Sequence, residues 1–499
     1  MSISKPHSPR TRREFLKVAS SLPLAGTVGF PDAAHAEPAS SGRPNVLLIL
    51  PDQFRGQDLG CMGNADVHTP HIDRLASEGV LLPNTFANTP LCTPARGNLL
   101  TGKYAHVHAV PINDLRMGEL EVTLGDHFSR AGYRTGLIGK WHLDGGQRLP
   151  GFIPPGLRRH GFQFWAANEC DHNPTHSQYF RDTSEPIPFT EFEAKTWTDI
   201  AIEFMRETRD KPFFLEVAMY SPHPPYHAPA EYLSKYDAAK LRTRANWVEA
   251  TRGGSRTDIA TYYAMISAID DQVGRLMQAL KDFGVEENTI VLVSSDHGNM
   301  LGSHGLIDKQ QPYEESIAVP GVVRFPRRIR PGRRLDAFFT HVDMGPTLLA
   351  LCGLPVPREM QGTDISSALT GEERPAPHSA FFQVFAPYHT SVVPFAWRGV
   401  RNERYMYARS KAQPWVLYDL KQDPYELKNL ADDPAARGIR EQMEKELAEW
   451  MERSEDSWDY TWDTPWNDRV LDYDRTFYTY DEYLEWAAEH PEVLRMKRR

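Results

Sequence analysis

The chain has 499 residues, 40% of them hydrophobic and 24% charged, an ordinary globular balance that excludes a disordered, low-complexity or repeat-built protein. Its formal charge of -10 leaves no surplus of cations for a phosphate backbone, which argues against nucleic acid as a partner, so an anionic ligand must be held by a local basic cluster. Four cysteines, at 61, 92, 170 and 352, are too few and too scattered for a disulfide framework or a zinc site with paired cysteine ligands.

Residues 1–36 read as a twin-arginine export signal. Thr11-Arg12-Arg13-Glu14-Phe15-Leu16-Lys17 precedes a modest apolar run, Val18 to Phe30, and Ala34-His35-Ala36 offers small residues for cleavage. The run is too short and too rich in Gly, Ser and Pro to favour the alternative of an anchored tail, and no later stretch reaches transmembrane length, so no stable membrane span is expected. The expected location is periplasmic or secreted, with the twin-arginine machinery as a partner. Loss of the five basic and two acidic side chains of this segment takes the formal charge to -13.

After a linker at 37–44, Asn45 to Leu50 is an apolar run ending at Pro51-Asp52, the pattern of a strand buried on both faces. Similar runs occur at Thr135 to Gly139, Pro212 to Tyr220 and Thr289 to Ser294. Between them the clearest helix is Asp258 to Phe283, where Ile259, Tyr262, Ile266, Ile269, Val273, Leu276 and Leu280 recur at three and four residues and Gly284 marks the end. Asp270-Asp271 within it reads as a polar face. This alternation predicts an α/β fold, a large, mostly parallel sheet flanked by helices, over 45–372. Cys352, inside Leu348-Leu349-Ala350-Leu351, reads as core filler; a bridge between Cys61 and Cys170 is left open by the sequence. Over 373–455 the texture changes to short strands (Ala380 to Phe385, Trp397 to Arg401, Tyr405 to Ala408, Trp415 to Tyr418) and a helix around Ile439 to Met451, a smaller antiparallel subdomain. Residues 456–499 form an aromatic and acidic tail, read as a docked cover.

Ionisable residues gather just beyond the C-terminal ends of the four long strands: Asp52 after the first, Lys140 and His142 after the second, His223 after the third, Asp296 and His297 after the fourth. In an open α/β sheet that edge binds ligands.

The strongest local motif is Cys92-Thr93-Pro94-Ala95-Arg96, followed by Thr101-Gly102. It resembles the signature of the type I sulfatases of the alkaline phosphatase superfamily, Cys-x-Pro-x-Arg with a downstream Thr-Gly, in which a formylglycine-generating enzyme oxidises the cysteine to an aldehyde. The resemblance implies a sulfuric ester hydrolase. One hydroxyl of the aldehyde hydrate attacks the ester sulfur, and deprotonation of the other expels sulfate, an exit that a thiosulfate adduct of a bare thiolate lacks. A hard divalent cation, calcium with magnesium as the alternative, activates the attacking hydroxyl. Asp52-Gln53 and Asp296-His297 match the family's metal motifs, with Cys92 beside them. Gln53 stands where the family most often has a second Asp, which removes one ligand charge, and His297 is a family variant of Asn.

Lys140-Trp141-His142 resembles the second signature, which implies that Lys140 contacts sulfate and His142 takes the proton as sulfate leaves. Ser221-Pro222-His223 and Asp308-Lys309 match the segments whose His and Lys reach the ester, so His223 and Lys309 are candidates to protonate the leaving oxygen, and Arg96 would offset the charge of attack. Thr69 to Ala76, Asp343 to Leu349 and Leu417 to Pro424 look like family scaffold, so the resemblance runs from about Pro44 to about Leu430. Asn168, His172 and His176 fall where sulfatases vary to fit substrate and are candidate leaving-group contacts. His106 and His108 read as structural hydrogen-bonding groups. The implied substrate is a sulfated small molecule or glycan, carbohydrate sulfates foremost. Two rivals remain: a phosphonate monoester or phosphodiester hydrolase of the same fold, some of which carry Asp-Gln at the first pair, and a non-catalytic binding protein that keeps Cys92 as a thiol.

Overall fold

The computed structural model describes residues 42–145, 150–249, 253–372, 376–385 and 393–458, together with the backbone of two short paired strands, Trp462–Asp463 and Lys497–Arg498. The export-signal reading, and nearly all of the tail reading, therefore lie outside the described residues.

Eight strands form the main sheet: β1 (Asn45–Ile49), β2 (Val80–Leu81), β3 (Arg134–Lys140), β4 (Phe164–Asn168), β5 (Phe213–Ala218), β6 (Thr289–Val293), β7 (Val322–Arg324) and β8 (Arg333–Arg334), in the order β8-β2-β7-β6-β1-β5-β3-β4. The run β6-β1-β5-β3-β4 is parallel throughout, and β7 adds antiparallel to β6. Every residue of β1, β5 and β6 is buried. This is why these strands are unbroken apolar runs rather than alternating ones: helices cover both faces. The helices that do so include α1 (Pro70–Glu78), α2 (Cys92–Thr101), α3 (Leu124–Arg130), α4 (Glu193–Thr208), α5 (Arg256–Asp282) and α6 (His341–Leu351). One apolar cluster joins α1, α4 and α5 to one face of β1 and β5 through Leu47, Ile49, Leu215 and Val217; another joins α2, α3 and α6 to the opposite face through Val46, Leu48 and Phe214.

Local signals set the helix starts. Ser255 and Asp258 form a reciprocal capping box on α5, and Thr340 and Asp343 do so on α6. Asp270 corrects the polar-face reading of α5. It is fully buried, and its carboxylate accepts from the backbone N–H groups of His71 (3.0 Å) and Ile72 (2.7 Å), capping α1 from a neighbouring helix. All four cysteines are unbridged.

The C-terminal sheet comprises β9 (Ser379–Val384), β10 (Trp397–Asn402), β11 (Tyr405–Arg409) and β12 (Pro414–Asp419), antiparallel in sequence order. Its alternation divides two interfaces. Phe381, Val400, Tyr407 and Leu417 meet Met443 and Leu447 of α7 (Arg437–Arg453), while Phe382, Trp397, Met406 and Val416 meet Phe86, Ile317 and Phe338 of the larger fold. At the start of the tail, Asp456 accepts from Arg398 and, at 2.7 Å, from Gln383 Nε2. No helix among the described residues is long and apolar enough to cross a membrane.

Candidate active site

The five parallel strands end on one edge, and the segments leaving their C-terminal ends build the site. Beyond β1, the backbone of Asp52 donates to Met219 O at 3.1 Å, which carries the pairing with the β5 side past the strand end. Gln53 then adopts a left-handed φ of 65°, held by its own N–H on Asp296 Oδ1 (3.0 Å) and by Tyr262, whose hydroxyl donates to Gln53 O (2.8 Å). Phe54 N donates to Ser295 Oγ at 2.9 Å. The two acidic segments, more than 240 residues apart in sequence, are thus tied together by hydrogen bonds from the backbone of one to side chains of the other.

Cys92 is the first residue of α2, and all ten residues of that helix are buried. Its Sγ lies 3.1 Å from His297 Nε2 and 3.9 Å from Asp52 Oδ1. Close packing fixes the helix from behind: a Cβ on Gly97 would sit 2.5 Å from His108 Cε1, and His108 Nε2 bonds Asn98 Oδ1 at 2.8 Å. Burial, with His106 and Lys103 nearby, pushes His108 down to about 3, so it is a neutral packing group. His106 likewise bonds Gln383 Oε1 and Ser454 O.

Arg96, one turn along α2, places Nε (3.2 Å) and Nη2 (2.9 Å) on Asp296 Oδ2 and Nη1 on Lys140 O (3.1 Å). Lys140 Nζ reaches Asp52 Oδ2 at 2.5 Å and His172 Nε2 at 3.0 Å. Lys309 Nζ reaches Gln53 Oε1 at 2.8 Å and His223 Nε2 at 3.1 Å. Burial opposes ionisation of Asp52, but the positive charges around it, Lys140 foremost, outweigh it and hold the carboxyl well below its usual range. Burial and Asp52 raise the Cys92 thiol, yet Lys140, Lys309 and His297 bring it well below an ordinary thiol. Burial and Lys309 push His223 down to about 3, which leaves it neutral.

The structure therefore brings Asp52, Gln53, Cys92, Arg96, Lys140, His172, His223, Asp296, His297 and Lys309 together. His142 stands to one side, with φ of 56° and Nε2 on Asp114 Oδ1 at 3.2 Å. The Asn168 side chain turns away to donate to Gln178 O at 2.7 Å, and His176 is exposed with Nδ1 on Thr175 Oγ1 at 3.0 Å, so neither joins the cluster. Sequence reasoning missed β4, whose following loop carries His172, and it missed two supports. Glu193, at the start of α4, accepts from the N–H groups of Tyr220 (3.2 Å) and Ser221 (2.9 Å), fixing the segment that leads to His223. Asp114 orients His142. An acidic residue opening an amphipathic helix signals Glu193 only as a cap; nothing local signals Asp114.

Asp52, Cys92, Asp296 and His297 each offer one ligand atom, all within 4.8 Å of one another and all buried. Ligands on opposite sides of a hard cation, at about 2.3–2.6 Å each, stand at most about 5 Å apart, so the set fits a divalent cation in size, and its two carboxylates supply hard oxygen ligands beside the His297 nitrogen and the Cys92 side chain. Gln53 adds an amide whose oxygen faces Lys309 and whose Nε2 is buried without a hydrogen-bond partner.

The chain is similar to known proteins along most of its length. Residues 44–354 match the family model described as Sulfatase, and 302–453 match that described as N-sulphoglucosamine sulphohydrolase, C-terminal. The chain is 33% identical over 412 residues to an ulvan-active sulfatase of Formosa agariphila, covering 81% of this chain and 80% of that one. Among solved structures it resembles a putative sulfatase, yidJ, of Bacteroides fragilis (TM-score 0.77, 29% identity, 83% and 96% of the two chains). It also resembles a phosphonate monoester hydrolase of Agrobacterium radiobacter (TM-score 0.69, 25% identity, 83% and 96%).

Proposed function

We propose, on the premise that this chain belongs to the sulfatase family and is a sulfuric ester hydrolase, that it cleaves sulfate monoesters of a carbohydrate with a formylglycine at position 92 and one divalent cation, calcium or else magnesium. The observation that carries the reading is the convergence of the Asp52, Cys92, Asp296 and His297 donor atoms within 4.8 Å, flanked by two buried lysines. Support for a sugar comes from the match of 302–453 to a model described for an N-sulphoglucosamine sulphohydrolase.

Asp52, Gln53, Asp296 and His297 would hold the cation. When in place, the cation and the aldehyde hydrate supply Lewis acidity and a nucleophilic hydroxyl whose partner hydroxyl later releases sulfate. The chain's own residues do the rest. Lys140 and Lys309 bind sulfate oxygens; Arg96, whose Nε and Nη2 both donate to Asp296 Oδ2, offsets charge beside position 92. Lys309 Nζ lies 3.1 Å from His223 Nε2, so the pair can deliver a proton to the leaving oxygen. His142, oriented by Asp114, is the base for sulfate release.

Peptide mass spectrometry across Cys92 in protein from the native host tests the nucleophile: only unmodified cysteine would remove it. Cys92→Ala should fold and lose turnover; an active variant refutes the mechanism. Gln53 keeps a second reading in view, the phosphonate monoester hydrolase, and higher efficiency on a phosphonate than on a sulfate monoester would select it. Twin-arginine export to the periplasm or medium is our reading of residues 11–36. Because that route carries folded proteins, a formylglycine-generating enzyme would act before export. Finding only unmodified Cys92 in the cytoplasmic precursor would contradict that order.

A further inference from the structure

The two lysines of the site are held by matching pairs of acceptors. Lys140 Nζ is bound by Asp52 Oδ2 and His172 Nε2; Lys309 Nζ is bound by Gln53 Oε1 and His223 Nε2. Each ammonium has three hydrogens, so each keeps one for another acceptor. The two imidazoles that complete the pairs stack on each other, with ring centroids 3.7 Å apart and planes 12° from parallel. His223 bonds Pro224 O through Nδ1 at 2.6 Å, which places its proton there and leaves Nε2 to accept.

Topology explains the pairing. β3, which ends in Lys140, lies between β5 and β4 in the sheet; His223 follows β5 and His172 follows β4, so the two loops close over the lysine from either side. The His172 loop has its own supports, with Asp171 Oδ1 accepting from Asn173 N and Asn173 Oδ1 from His176 N. The His172 side chain is 12% exposed while those of Lys140 and Asp52 are fully buried, so it lies nearer solvent than the lysine and the carboxylate it approaches.

We propose that His172 is a positioning residue for sulfate recognition: stacked on His223, it holds the Lys140 ammonium in register with that of Lys309, so that the two lysines present one N–H each to the same sulfate. The inference rests on the reading of Lys140 and Lys309 as sulfate ligands. It accounts for a requirement that the carboxylate alone does not meet. Asp52 is claimed by the cation as well as by Lys140, whereas His172 is not among the residues that would hold the cation, and in the tautomer protonated at Nδ1 its Nε2 accepts from the lysine at 3.0 Å.

The test uses full-length, formylglycine-bearing enzyme, 4-nitrophenyl sulfate as substrate and inorganic sulfate as competitive inhibitor. His172→Ala should lower kcat/KM by about 10- to 100-fold, the scale of a misplaced reacting partner, and weaken inhibition by sulfate by a similar factor. His172→Gln, whose amide can accept at the Nε2 position, should return both to within about threefold. In a Lys140→Ala background, His172→Ala should add less than about a twofold further loss, because the lysine it positions is gone. Full additivity in that background, or loss of turnover with sulfate inhibition unchanged, overturns the inference. If Lys140→Ala itself leaves sulfate inhibition untouched, the assignment of Lys140 to sulfate fails first, a result separable from the others. Should His172→Ala not fold, His172→Asn, too short to reach the lysine, takes its place against His172→Gln.

Discussion

Replacing Arg96 with Met removes a guanidinium whose side chain is 1% exposed and leaves Asp296, itself fully buried, without its partner. Two hydrogen bonds to Asp296 Oδ2, at 2.9 and 3.2 Å, and one to Lys140 O, at 3.1 Å, are lost. Breaking a buried pair by deleting one member costs about 3–5 kcal/mol, because the surviving charge is uncompensated. The unfolding entropy of a chain this long, at about 2.1 cal/mol/K per residue, is roughly 1 kcal/mol/K, so the loss corresponds to a Tm lowered by about 3–5 °C. Adding Asp296→Asn removes the orphaned charge, and the double variant should recover about 1–3 kcal/mol of the single variant's deficit, the coupling expected of contacting groups. Scanning calorimetry at one heating rate, on protein stripped of divalent cations, measures all three differences. An Arg96→Met protein that melts within about 1 °C of the parent, or a double variant less stable than Arg96→Met, would show that the pair contributes far less to stability than its burial implies.

Gly97→Ala places a methyl 2.5 Å from His108 Cε1 in a helix buried on every side, and overpacking of about 1–3 kcal/mol should lower Tm while formylglycine content stays unchanged. An unchanged melting temperature would mean His108 can move aside. Glu426 is 1% exposed, and burial, followed by the charges of Glu315 and Glu314, raises its carboxyl well above the usual range. Its acid form is therefore favoured in the fold, and the stability it contributes is present at low pH and lost as pH rises through the raised value. Glu426→Gln, which cannot ionise, should flatten that decline and melt above the parent at about pH 9; parallel pH profiles of the two proteins would refute the assignment. Chelator treatment should abolish hydrolysis of 4-nitrophenyl sulfate and calcium should restore it, whereas turnover that survives complete removal of divalent cations would exclude the cation role given to Asp52, Asp296 and His297.

Apolar runs with no alternation identify β1, β5 and β6 as central strands from sequence alone, because a strand covered on both faces has no solvent side to mark. The same reading places Asp52, Lys140, His223 and Asp296 on one edge, since parallel strands all end there. The motif around Cys92 carries the resemblance to the family, and element bounds are legible as well: the helix expected over Asp258 to Phe283 spans Arg256–Asp282. Local pattern could not find β4, whose five residues open on the half-buried Phe164 and end in Asn168 rather than forming a long apolar run. Nor could it find that Asp270 caps another helix, because the partner N–H groups lie 198 and 199 residues away. The distinction is sharpest among the candidate substrate residues. Asn168, His172 and His176 are alike as a stretch of polar sequence, yet only His172 enters the cluster. The turn closed by Asn173 directs it inward and leaves His176 in solvent. Sequence determined which residue types stand at the strand ends, since that depends on burial along each segment. The fold decided which of them meet, since that depends on distances between segments that no local pattern records.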